Sequence, residues 1–357
     1  MTFFLRTGQS SPAAPFFTAG ELADVRQFYR HQPDAAATPL RRLPGLARAF
    51  GLRELLIKDE SQRFGLPAFK IVGARYAIAK VLESSGARVT DLACATAGNH
   101  GRAVAHVARS RGLSVHVYVP VGTAPERVHA LESEGASVVV TGVDYDATVS
   151  LMAHDANTRG WTIVSDTAWD GYEQIPRWIM GGYTRILEEA ADAWGETPPD
   201  VVVVQTGVGS LTGAVAGWLD TLPAAGRPRL VSAEPEGSAC LLASLDAGRR
   251  VTLPACAPTA MVGLRCAAVS PLAWNALHDR VDAAIAVSEP VNEEAMALLA
   301  TPVAGDPAIR SGASGSCGVA ALLTIMRHAE LARVREALHL AGSRVLCIVT
   351  EAAIPES

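Results

Sequence analysis

Three lysines, Lys58, Lys70 and Lys80, fall in one short stretch of a 357-residue chain whose 31 Lys and Arg residues are otherwise arginine. A guanidinium stays protonated and supplies charge. A lysine amine can be deprotonated by burial and can form a Schiff base with a carbonyl. The stretch "KDESQRFGLPAFKIVGARYAIAK" therefore offers amines where the rest of the chain uses only charge. For any single lysine, a place on a solvated face is the ordinary alternative, so the neighbouring motifs must decide.

Those motifs share one position: each follows a short apolar run. After "DVVVVQ" comes "TGVGSLTG", with Gly207, Val208, Gly209, Ser210 and Leu211 leading into an apolar stretch. Glycines there allow a tight turn and close backbone approach, and a helix opening behind them presents N–H groups to an anion, so a phosphate is the expected guest. With Glu234 at the end of the next apolar run, the same pattern also fits a dinucleotide site. After "DLAC" comes "ATAGNHGRAVA", where Thr96, Gly98, Asn99, His100 and Gly101 form a polar turn suited to a small carboxylate. Simple helix capping would equally explain Thr96 or Asn99. After "TIVS" comes Asp166, a candidate base or else the cap of the following helix. "SGASGSCG" is a further glycine/serine turn, and "RVLCIVTEA" places Thr350 at the end of the last apolar run.

Such motifs need a scaffold of alternating elements. The apolar runs "DLACAT", "VHVYVP", "SVVVTG" and "TIVSD", then "DVVVVQT", "RLVSAEP", "DAAIAVS" and "RVLCIVTE", read as strands separated by helical stretches. That alternation predicts two α/β domains with mainly parallel sheets. The expected division is a larger domain from residues 1–87 and 191–357, with a smaller mobile domain, 88–190, inserted. Hinges are expected near residues 84–86 and in "GETPPD", 195–200. Ligands of such sheets bind beyond the strands' carboxyl ends, where the strand order reverses.

Composition narrows the function. A net charge of −5 with 19% charged residues gives no electrostatic case for nucleic acid or an anionic membrane. No stretch has the unbroken apolar length of a membrane span, and the start lacks the pattern of a signal peptide. Six scattered cysteines without metal-ligand spacing predict reduced thiols in a cytoplasmic protein, and no metal site.

With these residues identified, the chain resembles the fold-type II (tryptophan synthase β-like) pyridoxal-phosphate enzymes, and within them the diaminopropionate ammonia-lyases. "KDESQRFGLPAFKIVGARYA" resembles their cofactor-lysine segment. "TAGNHGRAVA", "SDTAWDGYEQIPRWIMGGY", "TGVGSLTG", "EPEGSACLLASL", "TAMVGLRC" and "SGASGSCG" follow in family order. The resemblance implies an active site in the cleft between the two domains. It implies pyridoxal 5′-phosphate on Lys70 beside Phe69, with the phosphate in the loop from Gly207 to Leu211. Asn99 is then near the ring hydroxyl and Thr350 near the pyridine nitrogen. A neutral partner there leaves the ring a weaker electron sink and favours elimination over transamination. Lys58 and Lys80 have no such counterpart and read as surface charges.

The implied activity is α,β-elimination of L-2,3-diaminopropionate to pyruvate and ammonia, by a homodimer acting on a small amino acid. The substrate carboxylate would bind at Thr96, Ala97, Gly98 and His100, and Asp166 or Lys70 would move protons. A serine/threonine dehydratase or a biosynthetic β-replacement enzyme is the alternative within the fold. The family has Asp where this chain has Ala97, and the resemblance links that carboxylate to the D-isomer. Cys240 and Cys266 match cysteine positions of the branch, and are expected to be free thiols rather than a bridge.

Overall fold

The computed structural model describes residues 2–8, 14–85, 89–301, 303 and 305–353. The chain forms two compact units, one of Met1–Phe69 with Tyr183–Ser357 and one of Lys70–Gly182. The strands among the described residues are β1 (Phe3–Leu5), β2 (Leu40–Arg42), β3 (Glu54–Asp59), β4 (Asp91–Ala95), β5 (Ser114–Val119), β6 (Ser137–Val140), β7 (Thr162–Ile163), β8 (Val201–Gln205), β9 (Arg229–Pro235), β10 (Ala283–Val287) and β11 (Arg344–Val349).

In the larger unit seven strands run in the order β1-β10-β9-β8-β11-β3-β2, with β1 and β2 as antiparallel edges and every inner pairing parallel. Strands β8, β10 and β11 are buried at every residue, as expected for a parallel sheet covered on both faces. On one face Val201, Val203, Ile285, Val287, Val345 and Val349 form a core with helix Ala313–Arg327, each fully buried side chain contributing roughly 1.5–3 kcal/mol relative to exposure. The chain steps from β8 to β9 to β10 in one direction, while β11 inserts between β8 and β3. The order therefore reverses between β8 and β11, beside Gln205 and Thr350.

The smaller unit holds an all-parallel sheet, β6-β5-β4-β7. Here the chain steps outward from β4 to β6 and then returns to place β7 on the other side of β4. This second reversal lies between the ends of β4 and β7, where residues 96–100 and Asp166 follow. Helix Tyr145–Arg159, which makes the return possible, is capped by the Asp144 carboxylate on the Ala147 N–H and ended by Gly160 at φ 71°.

The unit boundaries differ from those expected at 87/88 and 190/191. Helix Lys70–Ser84 belongs to the smaller unit because it packs on helix Asn99–Ser110 and touches Gly182 of helix Gln174–Trp194. A Cβ added at Gly182 would lie 2.9 Å from both the Gly73 Cα and the Val72 carbonyl oxygen, so only glycine permits that approach. Residues 183–190 go with the larger unit, where Glu188 and Glu189 form ion pairs with Arg26, Lys58 and Arg63. The boundary expected at 87/88 and residue 86 of the hinge expected at 84–86 lie outside the described residues, while Ser84 ends helix Lys70–Ser84. "GETPPD" lies within the larger unit, between helix Gln174–Trp194 and β8.

Candidate active site

The smaller unit's strand-order reversal brings three reactive side chains together. Lys70 opens helix Lys70–Ser84, and its Nζ lies 2.5 Å from Asp166 Oδ2. Asp166 follows β7, and the next helix begins only at Gln174, so Asp166 does not cap it. Tyr172 fixes the intervening loop: its hydroxyl accepts the Ser165 N–H at 2.8 Å and donates to the Ile163 carbonyl at 2.9 Å. Burial alone would raise the Asp166 carboxyl, but the Lys70 ammonium at contact distance, His100 and the hydrogen bond outweigh it and hold it far below the usual range. Asp166 is therefore a carboxylate at neutral pH and accepts the hydrogen bond from Lys70 Nζ.

His100 is the third member, buried at 4% exposure in helix Asn99–Ser110. Its Nε2 lies 2.9 Å from the Val164 carbonyl, which can only accept, so Nε2 carries the hydrogen. Burial pushes its pKa down, and Lys70 adds to that against the opposing pull of Asp166. The ring is thus neutral, with the lone pair on Nδ1. That atom lies 3.9 Å from Asp166 Oδ2 and has no hydrogen-bond partner among the described residues.

The turn ahead of this helix is not closed by a side chain. The cap residue is Gly98, without a side-chain cap hydrogen bond, and Asn99 is the first helical residue. Thr96 Oγ1 accepts the Gly98 N–H at 3.1 Å, shaping the turn rather than capping the helix. Ala97 brings no ionisable group to it. Gly101 is required, since a Cβ there would sit 2.9 Å from the Thr96 carbonyl oxygen.

The larger unit's reversal carries a site of another kind. Gly209, at φ 95°, caps helix Ser210–Leu219, and an added Cβ would meet Ala273 Cβ at 2.8 Å. A Cβ on Gly207 would meet Cys266 Sγ and the Gly263 carbonyl oxygen at 3.2 Å. The loop backbone is anchored by the Val208 carbonyl, which accepts the Ser270 N–H at 2.9 Å. Ser210 and Leu211 start the helix, whose N-terminus has no side-chain cap. A left-handed glycine followed by an uncapped helix N-terminus is a cradle for a phosphate. Beneath it the hydroxyls of Thr206, Thr212 and Ser232 are joined at 2.7–2.8 Å.

Beside this loop, Thr350 ends β11. Its hydroxyl faces Gln205 Nε2 at 2.8 Å, and the same nitrogen lies 3.0 and 3.1 Å from the Ile348 and Gly315 carbonyls. An amide nitrogen cannot accept, so the Thr350 oxygen accepts there and its proton points elsewhere. Sequence reasoning passed over Gln205, which stood only as a polar break in an apolar run. A polar residue closing the otherwise apolar strand "VVVVQ" was the available signal. Phe69 N–H donates to the Thr350 carbonyl at 3.1 Å, which ties the residue before Lys70 to the end of β11.

Glu234 is fully buried, and its two oxygens accept the Leu241 and Leu242 N–H groups at 2.8 Å each. Burial pushes its carboxyl up to about 8 against those two bonds. Its carboxyl holds helix Cys240–Ala247 and is unavailable to a ribose, which closes the dinucleotide reading. Lys58 also departs from expectation. It is buried in β3, with Nζ 2.8 Å from Glu189 Oε2 and 3.4 Å from Glu60 Oε1, because a carboxylate distant in sequence joins a neighbouring one in compensating its charge. Lys80 is half-buried and pairs with Glu83 at 3.0 Å. All six cysteines are free thiols; Cys240 Sγ lies 3.7 Å from the Gly207 carbonyl oxygen, and Cys266 borders the same glycine. Among the described residues no helix is long and apolar enough to cross a membrane, and no cluster of three or more His, Cys, Asp or Glu could hold a metal ion.

Over residues 32–351 the chain matches the family of pyridoxal-phosphate dependent enzymes. It is 35% identical over 356 residues to the diaminopropionate ammonia-lyase of Escherichia coli (strain K12), spanning 94% of this chain and 89% of that protein. The crystal structure of the selenomethionine-incorporated holo diaminopropionate ammonia lyase from Escherichia coli gives a TM-score of 0.89 at 34% identity, covering 98% of this chain and 93% of that one. The Escherichia coli enzyme in complex with an aminoacrylate-PLP azomethine reaction intermediate gives 0.87 at 35% identity, with 99% and 95% covered. The chain therefore belongs to the fold-type II pyridoxal-phosphate-dependent enzymes, in the branch of the diaminopropionate ammonia-lyases.

Proposed function

We propose that this protein catalyses the α,β-elimination of L-2,3-diaminopropionate, yielding pyruvate and ammonia. The observation that carries the reading is the Lys70/Asp166 contact at a strand-order reversal, in a chain 35% identical to a diaminopropionate ammonia-lyase. Held on Lys70, pyridoxal 5′-phosphate supplies the electron sink that makes the substrate Cα proton removable. The glycine cradle of Gly207, Val208, Gly209, Ser210 and Leu211 fits its phosphate, since Gly207 and Gly209 leave no room for a side chain and a helix N-terminus opens behind them.

The chain's own residues have distinct tasks. Thr350 offers its hydroxyl proton to the ring nitrogen, because Gln205 already occupies the oxygen as a donor. A hydroxyl at that position polarises the ring without protonating it. Asn99 would face the ring hydroxyl, and Phe69 would lie beside the cofactor. The turn of Thr96, Ala97, Gly98 and His100 would receive the substrate carboxylate. Asp166, ionised, holds the substrate's β-ammonium and returns any proton it takes from it as the C–N bond breaks, so that the β-nitrogen leaves as ammonia. Lys70 would be the base at Cα. The neutral His100 adds an acceptor at Nδ1. The released enamine hydrolyses in solution, so one pyruvate and two ammonia form per substrate.

Ala97 supports L-stereospecificity, since it can transfer no proton on its side of the turn. The same residue favours one second reading, a β-replacement or dehydratase activity on another β-substituted amino acid. Free thiols and the family resemblance support a cytoplasmic homodimer. Borohydride reduction followed by peptide mass spectrometry tests the cofactor site, and product analysis with both enantiomers tests the reaction. Pyruvate from the L-isomer alone is expected. A new C–N or C–S bond, or turnover of serine in preference, would replace this reading with the second.

A further inference from the structure

Lys70 is delivered by the segment leaving β3, and that segment contains a backbone outlier. Phe64 sits at φ 49°, one of two non-glycine residues with positive φ among the described residues, followed by Gly65 at φ 79°. Two successive positive φ values make a two-residue reverse turn, closed by Arg63 N–H to the Leu66 carbonyl at 2.8 Å and Leu66 N–H to the Arg63 carbonyl at 2.9 Å. A bulky side chain in the left-handed region is strained and persists only where its surroundings over-determine it.

The surroundings here are unusually strong. Arg63, among the bulkiest fully buried side chains, sets its guanidinium fork on both oxygens of Glu189 at 2.8 Å. The same carboxylate accepts Lys58 Nζ at 2.8 Å, Arg185 Nε at 2.9 Å and the Thr38 N–H at 3.2 Å. Arg63 also lies over the Phe64 ring, 4.9 Å from its centroid, and Tyr29 stacks on that ring at 6.3 Å and 15°. Downstream, residues 67–69 pair with the chain beyond β11: Ala352 N–H to the Pro67 carbonyl at 2.9 Å, the Ala68/Glu351 bridge, and Phe69 N–H to the Thr350 carbonyl. Lys70 is the next residue.

We propose that the clamped turn of residues 63–66 is a positioning device for Lys70, and that Arg63 is a positioning residue acting through it. This rests on the reading of Lys70 as the cofactor lysine. The turn reverses the chain after β3, so that residues 67–69 enter their pairing with 350–352 in one register. A slip there would shift Phe69, the residue that hands the chain to Lys70. The buried charges thus secure the aim of one amine.

A matched pair of variants separates backbone conformation from ring packing. Phe64→Gly and Phe64→Val both lose the ring, but glycine accepts positive φ and a β-branched residue resists it. Apoprotein of each is titrated with pyridoxal 5′-phosphate, followed by visible absorbance and circular dichroism, at a temperature where melting curves show it folded. Phe64→Val is expected to bind the cofactor about tenfold or more weakly with an altered visible dichroism, and Phe64→Gly to stay near wild type. Equal weakening in both, or in neither, overturns the proposal. Should Phe64→Val not fold, Arg63→Lys decides, since it keeps the charge and loses the fork. Weakened binding is then expected, and wild-type binding overturns the proposal. Wild-type protein that couples no cofactor to Lys70 overturns the functional reading itself, a result distinct from any difference among variants.

Discussion

The two strand-order reversals carry sites built on opposite principles. At residues 207–211 the larger unit uses backbone: glycines that exclude side chains, and a helix N-terminus left without a side-chain cap. At Lys70, Asp166 and His100 the smaller unit uses side chains, drawn from two helices and the loop after a short strand. Backbone recognition suits a group that must be held without reacting, because N–H groups neither titrate nor attack. Side chains suit the place where protons move, because their pKa values respond to neighbours. The first kind of site should fail through binding and the second through rate.

The largest effect should come from Asp166→Asn. It keeps the shape but cannot take a proton, so kcat should fall by about 10²–10⁴-fold while cofactor affinity stays within a few-fold. Parallel titration and turnover assays separate the two. Gly209→Ala should behave conversely. With φ at 95° and Ala273 Cβ at 2.8 Å, the added methyl strains the cradle by about 1–3 kcal/mol. Cofactor affinity should drop, and much of the activity should return when the cofactor is supplied in excess. Loss of kcat with normal cofactor affinity in Gly209→Ala would break the contrast.

The smallest effect is a pH dependence. His100 has its pKa lowered by burial, so below the unfolded value of about 6.5 the unfolded chain takes up a proton that the folded chain refuses. Its contribution to stability is therefore lost as pH falls from about 6.5 towards the folded pKa. Asp166, whose pKa is depressed, contributes stability above about 3.9 that is lost only at lower pH. Between about pH 6.5 and pH 5, His100→Asn should flatten the slope of unfolding free energy, as read from denaturant melts.

The same contrast explains what could be read from the chain alone. Strands β4 to β11 were legible because each is a short apolar run bounded by turn residues, and the glycine turn ahead of helix Ser210–Leu219 was legible because its residues are contiguous. Asp166 stayed ambiguous between cap and base until the gap to Gln174 showed no helix for it to cap. Gln205 was hidden because its role depends on Thr350, Ile348 and Gly315, over a hundred residues away. Lys58 was misplaced on the surface for the same reason. Its compensating carboxylates, Glu60 and Glu189, sit one beside it and one 131 positions on, and only the fold brings the second within reach. The domain boundaries moved because helix packing at Gly182 and ion pairs at Glu188 and Glu189, not strand rhythm, decide which unit a segment joins.

The most direct test is the covalent state of one amine. Purified protein mixed with pyridoxal 5′-phosphate, reduced with borohydride and digested should yield a single modified peptide bearing the pyridoxyl group on Lys70, and none in Lys70→Ala. Label on Lys58 or Lys80 with Lys70 unmodified, or turnover of L-2,3-diaminopropionate by Lys70→Ala at the wild-type rate, would contradict the account.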